Sequence, residues 1–378
     1  MVSATLRLFQ VLKGLVGEND DLDDAWAENK AGLYSRLITL LQNSGRSDAM
    51  HQPMGIVNTQ IARQLRNVDV AHVPDLGAVY PLLGTQSRPI QKVAFDILHR
   101  YIPTTQEQLS VDVALSADAA ESLQLPPEIL SMIIEAPEPE DDMVIEFARE
   151  MPIAIRGYLL SWILVYDHFE NASFKVRSIY VDSLKEGAYM TPLLNFISTT
   201  IFTPTRPFDA SKVSIQTYTA DTTENPLHDL RWLSTHLYYL SLSRTPSLVK
   251  SWWLDTSRNR STVLAVEAFT EKYMSPLLID QELLSITEWM STHDEDEDDG
   301  MKVKVSKAAR EVTASYPVDD QAMEILIQLP KLFPLRQVEV QSLRRVGLPE
   351  IKFKQMRLAS QAVVNFQVSL SPSPSLHH

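Results

Sequence analysis

LVKSWWLDTSRNRSTVLAVEAFTEKYMSPLLIDQELLSITEWM, residues 248–290, separates two kinds of sequence. Upstream of it, apolar residues recur at helical spacing. Downstream, beyond an acidic run, they alternate with polar residues as in strands. The stretch carries three of the six tryptophans, Trp252, Trp253 and Trp289. Adjacent residues on a helix point in different directions, so Trp252 and Trp253 are expected to pack against different neighbours. Such a pair suits the meeting of two layers; filling one large core is the plainer alternative.

Working upstream, the apolar stripes define helix after helix. Leu8, Val11, Leu12 and Leu15 form one, and Leu33, Leu37, Leu40 and Leu41 the next. A third helix is expected around Val57 to Leu65. Ile90, Val93, Ala94, Ile97, Leu98 and Tyr101 share one helical face, and Pro81, Pro89 and Pro103 bracket the segments. EAPEPEDD (residues 135–142) reads as a solvated loop. The apolar run from Ile153 to Phe169 contains Arg156 and Gly157; it reads as a buried helix, too short to span a bilayer. A helix over Phe174 to Leu184 stops at Gly187, and a short one covers Pro192 to Phe202. Thr203 to Glu224 reads as the longest irregular connection. Leu230, Leu233, Leu237 and Leu240 mark a helix ending before Pro246. Short antiparallel helices joined by Pro-containing turns fit stacked pairs of the HEAT kind. An irregular helical domain fits the same periodicity.

Working downstream, Ser275 and Pro276 fit a helix entry, and Leu283, Ile286 and Met290 form a stripe that would pack on a sheet. Asp294 to Asp299 is a charge run. Ser306 stands where an EF-hand loop would need Glu, so a solvated linker is the better reading. Val303 and Val305 alternate with Lys302 and Lys304. Met323, Ile325, Ile327 and Leu329 alternate with Ala322, Glu324, Leu326 and Gln328. Pro317 to Asp320 would connect two strands, Pro330 and Pro334 would form a turn, and Val338 to Val340 would begin the next strand.

Composition narrows the chemistry. The chain of 378 residues has no cysteine, which excludes disulfides, cysteine-ligated zinc and a thioester. The N-terminal sequence has no signal-peptide pattern. Walker, G-x-G-x-x-G, G-x-S-x-G and H-E-x-x-H motifs are absent, and the histidines show no metal-ligand spacing. No catalytic or metal-binding residue is expected. The net charge is −14; residues 301–378 carry 11 Lys+Arg against 6 Asp+Glu, so the first 300 residues carry −19. An acidic body with a basic end suggests different partners for the two. The basic constellation is Lys302, Lys304, Lys307 and Arg310, followed by Arg344, Arg345, Lys352, Lys354 and Arg357. A row of cations on one strand face suits phosphate contacts; a solubilising strand face is the alternative.

Three strings carry a resemblance: HLYYLSLSRTPSLVKSWWLD (236–255), FTEKYMSPLLIDQEL (269–283) and KVKVSKAAREVTASYPVDDQAMEILIQLPKLFPLRQVEVQSLRRVG (302–347). They are similar to the C-terminal part of the listerin family, RING-type ubiquitin ligases of ribosome-associated quality control. The similarity is dense from Leu227 to Phe366; upstream, only the helical character agrees with that family's HEAT-like arm.

The resemblance implies a mainly α fold followed by a small α+β domain with an antiparallel sheet. Residues 1–275 would be HEAT-like helical repeat. Residues 276–366 would be an RWD domain, similar to ubiquitin-conjugating enzymes but without their cysteine and cut short at its C-terminal end. The Pro- and Ser-rich residues 367–378 would be a disordered tail. The family's zinc-binding RING does not follow, so the chain is expected to be inactive as a ligase alone, to need no cofactor, and to meet a conjugating enzyme only through the missing RING. The implied partners are the large ribosomal subunit, through RNA and proteins near the peptide exit, and the quality-control cofactor on the stalled subunit, in the cytosol and away from membranes. Ribosome contact would fall on Lys302, Lys304, Lys307, Arg310, Arg344 and Arg345. The rival reading is a non-enzymatic helical scaffold or adaptor with an RWD interaction module.

Overall fold

The computed structural model describes residues 2–43, 53–66, 68–69, 71, 73, 76–202, 208–218, 225–255, 259–292, 301–318, 321–344, 354–355 and 358. The acidic run at 294–299, Arg345, Lys352, Arg357, the tail at 367–378 and much of 203–224 lie outside the described residues. The chain divides into two compact units, Met1–Pro192 with Tyr218–Leu233, and Leu193–Thr217 with Ser234–His378.

The first unit is helical: α1 (Val2–Gly14), α2 (Asp20–Asn43), α3 (Pro53–Leu65), α4 (Arg88–Leu115), α5 (Ala117–Ser122), α6 (Pro127–Ile133), α7 (Asp142–Phe147), α8 (Ile153–Asp167) and α9 (Phe174–Glu186). The buried-helix expectation holds for α8, where every residue from Ile155 to Asp167 is buried. Gly157 lets it approach closely: a Cβ there would stand 3.0 Å from the Leu83 carbonyl oxygen and 2.8 Å from Gln91 Nε2. Ser173 starts α9 by accepting from the Val176 N–H, and Gly187 ends it.

Two expectations fail here for physical reasons. On α1 the stripe Leu8, Val11, Leu12 and Leu15 is exposed, while Leu6 and Phe9 are buried. The Phe9 ring sits 5.4 Å from Trp26 and 6.3 Å from Tyr34; this aromatic cluster sets which face of α1 turns inward. Pro103 lies inside α4 rather than past its end. Proline removes one helical donor. The hydroxyls of Thr104 and Thr105 donate to the carbonyls of Tyr101 and Ile102, at 2.7 and 2.8 Å, beside the interruption.

The second unit contains α12 (Pro246–Trp253), α13 (Arg260–Phe269), α14 (Ser275–Thr292) and a four-stranded antiparallel sheet. α10 (Met190–Ile201) and α11 (Pro226–Arg244) are each divided between the units. Trp252 and Trp253 do face different neighbours. The Trp252 Nε1–H donates to Asn195 Oδ1 at 3.0 Å, and the Arg336 guanidinium lies 5.2 Å from the Trp253 ring. Ser275 and Pro276 are not a helix entry from a loop. A π turn over Thr270–Met274 joins α13 to α14, so the backbone stays helical throughout. The wider turn falls just before Pro276, where the regular ladder would lack a donor. The Ser275 hydroxyl donates to the Phe333 carbonyl at 2.6 Å, tying α14 to the turn after the third strand.

The strands are β1 (Lys302–Ser306), β2 (Glu311–Val318), β3 (Gln321–Gln328) and β4 (Glu339–Arg344), in the order β1-β2-β3-β4. Pro317 belongs to β2, so the β2–β3 connection is shorter than expected. Pro317 is paired with Ala322 at the end of the ladder, where a missing donor is tolerated.

Candidate nucleic-acid interface

The alternation in β1 sets the candidate face. Lys302 and Lys304 are exposed, while Val303 and Val305 are half-buried. Two residues apart on one face, the two lysines are separated by about 7 Å. Because paired residues share a face, the register gives the rest of the outer surface. Lys302 pairs with Ser315, Ser315 with Glu324, and Glu324 with Arg344, the last across a bulge that leaves Leu343 of β4 unpaired. The next row runs Lys304, Thr313, Leu326, Gln341, and the last Ser306, Glu311, Gln328, Glu339.

This map sorts the expected site residues. Lys302 and Lys304 stand together on edge strand β1. Lys307 is exposed in the adjoining turn. Arg310 is half-buried and left-handed, with φ of 57°. Its backbone N–H donates to Lys307 and its carbonyl accepts from the Leu329 N–H at 2.9 Å. Its Nε also reaches the Leu329 carbonyl at 3.4 Å, so the side chain helps close the β2–β3 end of the sheet. Arg344 is exposed on the opposite edge strand, three strand spacings or about 14 Å away. Arg345 lies outside the described residues.

The outer face is not a basic sheet. Glu324 stands between Lys302 and Arg344, and Glu311 and Glu339 form the end of the third row. Glu311 accepts from Gln328 at 3.1 Å and Glu339 from Gln341 at 3.3 Å. Three cations therefore meet three carboxylates. The concentrated positive charge is confined to the β1 edge and the turn after it, where a single polyanion strand could lie without meeting a carboxylate on β3 or β4. Sequence reading found the lysines but not the interleaved glutamates, because these come from the three following strands and only register brings them in.

The structure also gathers cations that the sequence reading did not single out. Arg63 on α3 and Arg66 just past its end, Arg88 and Lys92 on α4, and Arg149 before α8 line one cavity of the first unit. The available signal was helical spacing: i,i+3 at the end of α3 and i,i+4 on α4 place each pair on one face.

Comparison with known proteins is consistent across both parts of the chain. Residues 69–287 match the family described as LTN1 family HEAT repeat region, and residues 301–369 match that described as ubiquitin conjugating domain-like. The E3 ubiquitin-protein ligase listerin of Neurospora crassa is 33% identical across 97% of this chain. The listerins of Schizosaccharomyces pombe and Mus musculus are 26% and 27% identical across 96% and 90% of it. The chain spans only 23%, 23% and 20% of those three relatives. The helical part is HEAT-like and the sheet belongs to a conjugating-domain-like fold that here has no cysteine. No helix among the described residues is long and apolar enough to cross a membrane. With one family matching more than half of the chain and its named relatives aligning along most of it, this chain belongs to the listerin family of E3 ubiquitin ligases.

Proposed function

We propose that this chain is the ribosome-docking region of a listerin-type ubiquitin ligase, acting in the cytosol on large subunits that carry stalled nascent chains. The observation that carries this reading is the alignment with a listerin along 97% of the chain. In this reading the conjugating-domain-like fold is an RWD domain. Having no thiol, it forms no thioester and serves as a docking module. A helical arm held on the subunit would fix where a RING, elsewhere in the intact ligase, presents a charged conjugating enzyme. The catalytic gain is one of position: the effective concentration of a substrate lysine beside the thioester rises. The β1 edge, with Lys302, Lys304 and Lys307, supplies phosphate contacts to ribosomal RNA.

Co-sedimentation with purified large subunits across a salt series tests this. Lys302→Glu with Lys304→Glu should weaken binding most at low salt. For every phosphate released from a lysine, the log–log salt dependence should become shallower by about one. Circular dichroism should show an unchanged fold. Curves that coincide with the unmodified chain would remove the β1 edge from the interface. No co-sedimentation by either protein would favour the scaffold or adaptor reading.

A further inference from the structure

The cavity of the first unit holds about 850 Å³, within the range of small-molecule sites. One wall is α3 and the residue after it, where Ile56, Thr59, Arg63 and Arg66 follow helical spacing on one face. The facing wall is the first two turns of α4, with Arg88 and Lys92. Arg149 closes the end before α8. Among the described lining residues, five cations from three separate segments thus meet two carboxylates, Asp96 and Glu150. Glu150 is 3.2 Å from Arg88. This local excess of three positive charges sits in the part of the chain whose net charge is −19. Like charges repel, so such convergence raises the free energy of the empty fold and is relieved by an anion.

Three further observations define the anion. The cavity opens on the N-terminal end of α4, a 28-residue helix with no acidic residue in its first turn. Its N-cap, Ser87, lies buried between the lining residues Gln86 and Arg88, makes no side-chain cap bond, and its hydroxyl has no partner among the described residues. The helix dipole at that end, with the free N–H groups that remain beside Pro89, favours an oxyanion. Beneath the cations, Arg156 is fully buried and donates to Gln91 Oε1 at 2.8 Å; it adds positive potential from behind. Burial draws the Lys92 ammonium below its ordinary value, against the pull of Asp96. Apart from Thr59 and Gln86 the remaining lining is apolar, including Ile56, Ala62, Val93 and Ile153, and among the described residues it contains no aromatic ring. A nucleobase would find nothing to stack on.

We propose that this cavity binds a compact, multiply phosphorylated molecule on a saturated framework, of the inositol polyphosphate class, free in solution. Arg63 and Arg66 hold phosphates from one wall, Arg88 and Lys92 from the other, and the α4 N-terminus takes a further phosphate oxygen. The assignment is independent of ribosome docking, which concerns the sheet.

The experiment is calorimetric titration of the whole 378-residue chain with inositol hexakisphosphate at physiological salt. Saturable one-to-one binding is expected. Arg66→Ala with Lys92→Ala should weaken it at least about tenfold, since each charge-assisted contact supplies that order of affinity. Arg63→Ala with Arg149→Ala, both at exposed positions, repeats the test where no packing is disturbed. Lys185→Glu changes the net charge by the same two units as either pair, elsewhere in the unit, and should leave affinity unchanged. Heat without saturation, or equal weakening by Lys185→Glu, would overturn the site as a general charge effect. Equal affinity for ATP would overturn the saturated framework. Binding to phosphoinositide vesicles without binding the soluble probe would overturn the free ligand, and displacement of the probe by single-stranded RNA at lower concentration would overturn the ligand class.

Discussion

Helix α8 and the four-stranded sheet handle polar groups in opposite ways. In α8 every residue from Ile155 to Asp167 is buried, Arg156 and Asp167 among them, and the adjoining His168 is buried too. Each of these has a fixed partner: Arg156 donates to Gln91, Asp167 accepts from His99 at 2.8 Å, and the His168 Nδ1–H donates to the Leu164 carbonyl at 2.7 Å. In the sheet only Val312 and Val340 are buried among the described strand residues; Lys302, Lys304, Glu339 and Arg344 stand in water, and Glu311 and Glu324 are half-buried. A charge sealed among apolar neighbours is committed to the fold, because leaving it unpartnered is costly. A charge on an open face is available to a partner.

The largest effect that would break this contrast is steric. Trp162 is wholly buried in α8, so Trp162→Ala should cost about 3–5 kcal/mol of stability. Tyr316 on β2 is 37% exposed, and Tyr316→Ala should cost less than about 1 kcal/mol. Urea midpoints of the two variants test this; equal losses would mean that the sheet is sealed as well.

Protonation gives the next effect. Burial pulls His168 down to about 4 from an ordinary value of 6.5. Its folded form binds fewer protons than the unfolded chain between those limits. The stability that depends on neutral His168 is therefore complete above pH 6.5 and is lost as pH falls toward 4, by about 3 kcal/mol in all. His99 works in the other direction. Its hydrogen bond to Asp167 raises its pKa, so its contribution is complete below its unfolded value and fades as pH rises through the folded one. Urea midpoints from pH 7 to 4.5 should fall more steeply for the unmodified chain than for His168→Gln. Identical slopes would mean that water reaches the ring.

The same contrast explains what was legible in the sequence. The burial of most of the Ile153 to Phe169 run, from Ile155 on, was legible because an apolar run longer than a strand has few other fates. The Lys302, Val303, Lys304, Val305 alternation was legible because period two is local. The inward face of α1 was not, because Phe9 meets Trp26 and Tyr34 across a turn that no periodicity describes. Pro103 misled because its missing donor is a local signal, whereas the burial of Ile102 and Gln106 on either side of it is set by packing. The carboxylates among the lysines and the cations of the α3–α4 cavity shared one obstacle: each set is assembled from distant segments by pairing or packing.

The smallest effect decides how much of the sheet's outer surface a polyanion would use. Glu324 is paired directly with Arg344 and lies two strands from Lys302. Glu324→Gln keeps the shape and hydrogen-bonding length of the side chain while removing its charge. Without the cross-strand attraction, stability should fall by only about 0.2–1 kcal/mol. Its effect on large-subunit binding depends on geometry. If RNA lies across the whole face, a carboxylate within a strand spacing of its phosphates is removed, and co-sedimentation at low salt should strengthen. If RNA follows only the β1 edge, Glu324 is about 10 Å away, beyond the Debye length at physiological salt, and binding there should be unchanged. The interleaved glutamates favour the second result, since a face of three cations and three carboxylates offers no net attraction. Strengthened binding by Glu324→Gln that vanishes when Lys302→Glu and Lys304→Glu are added would show instead that edge and face form one interface.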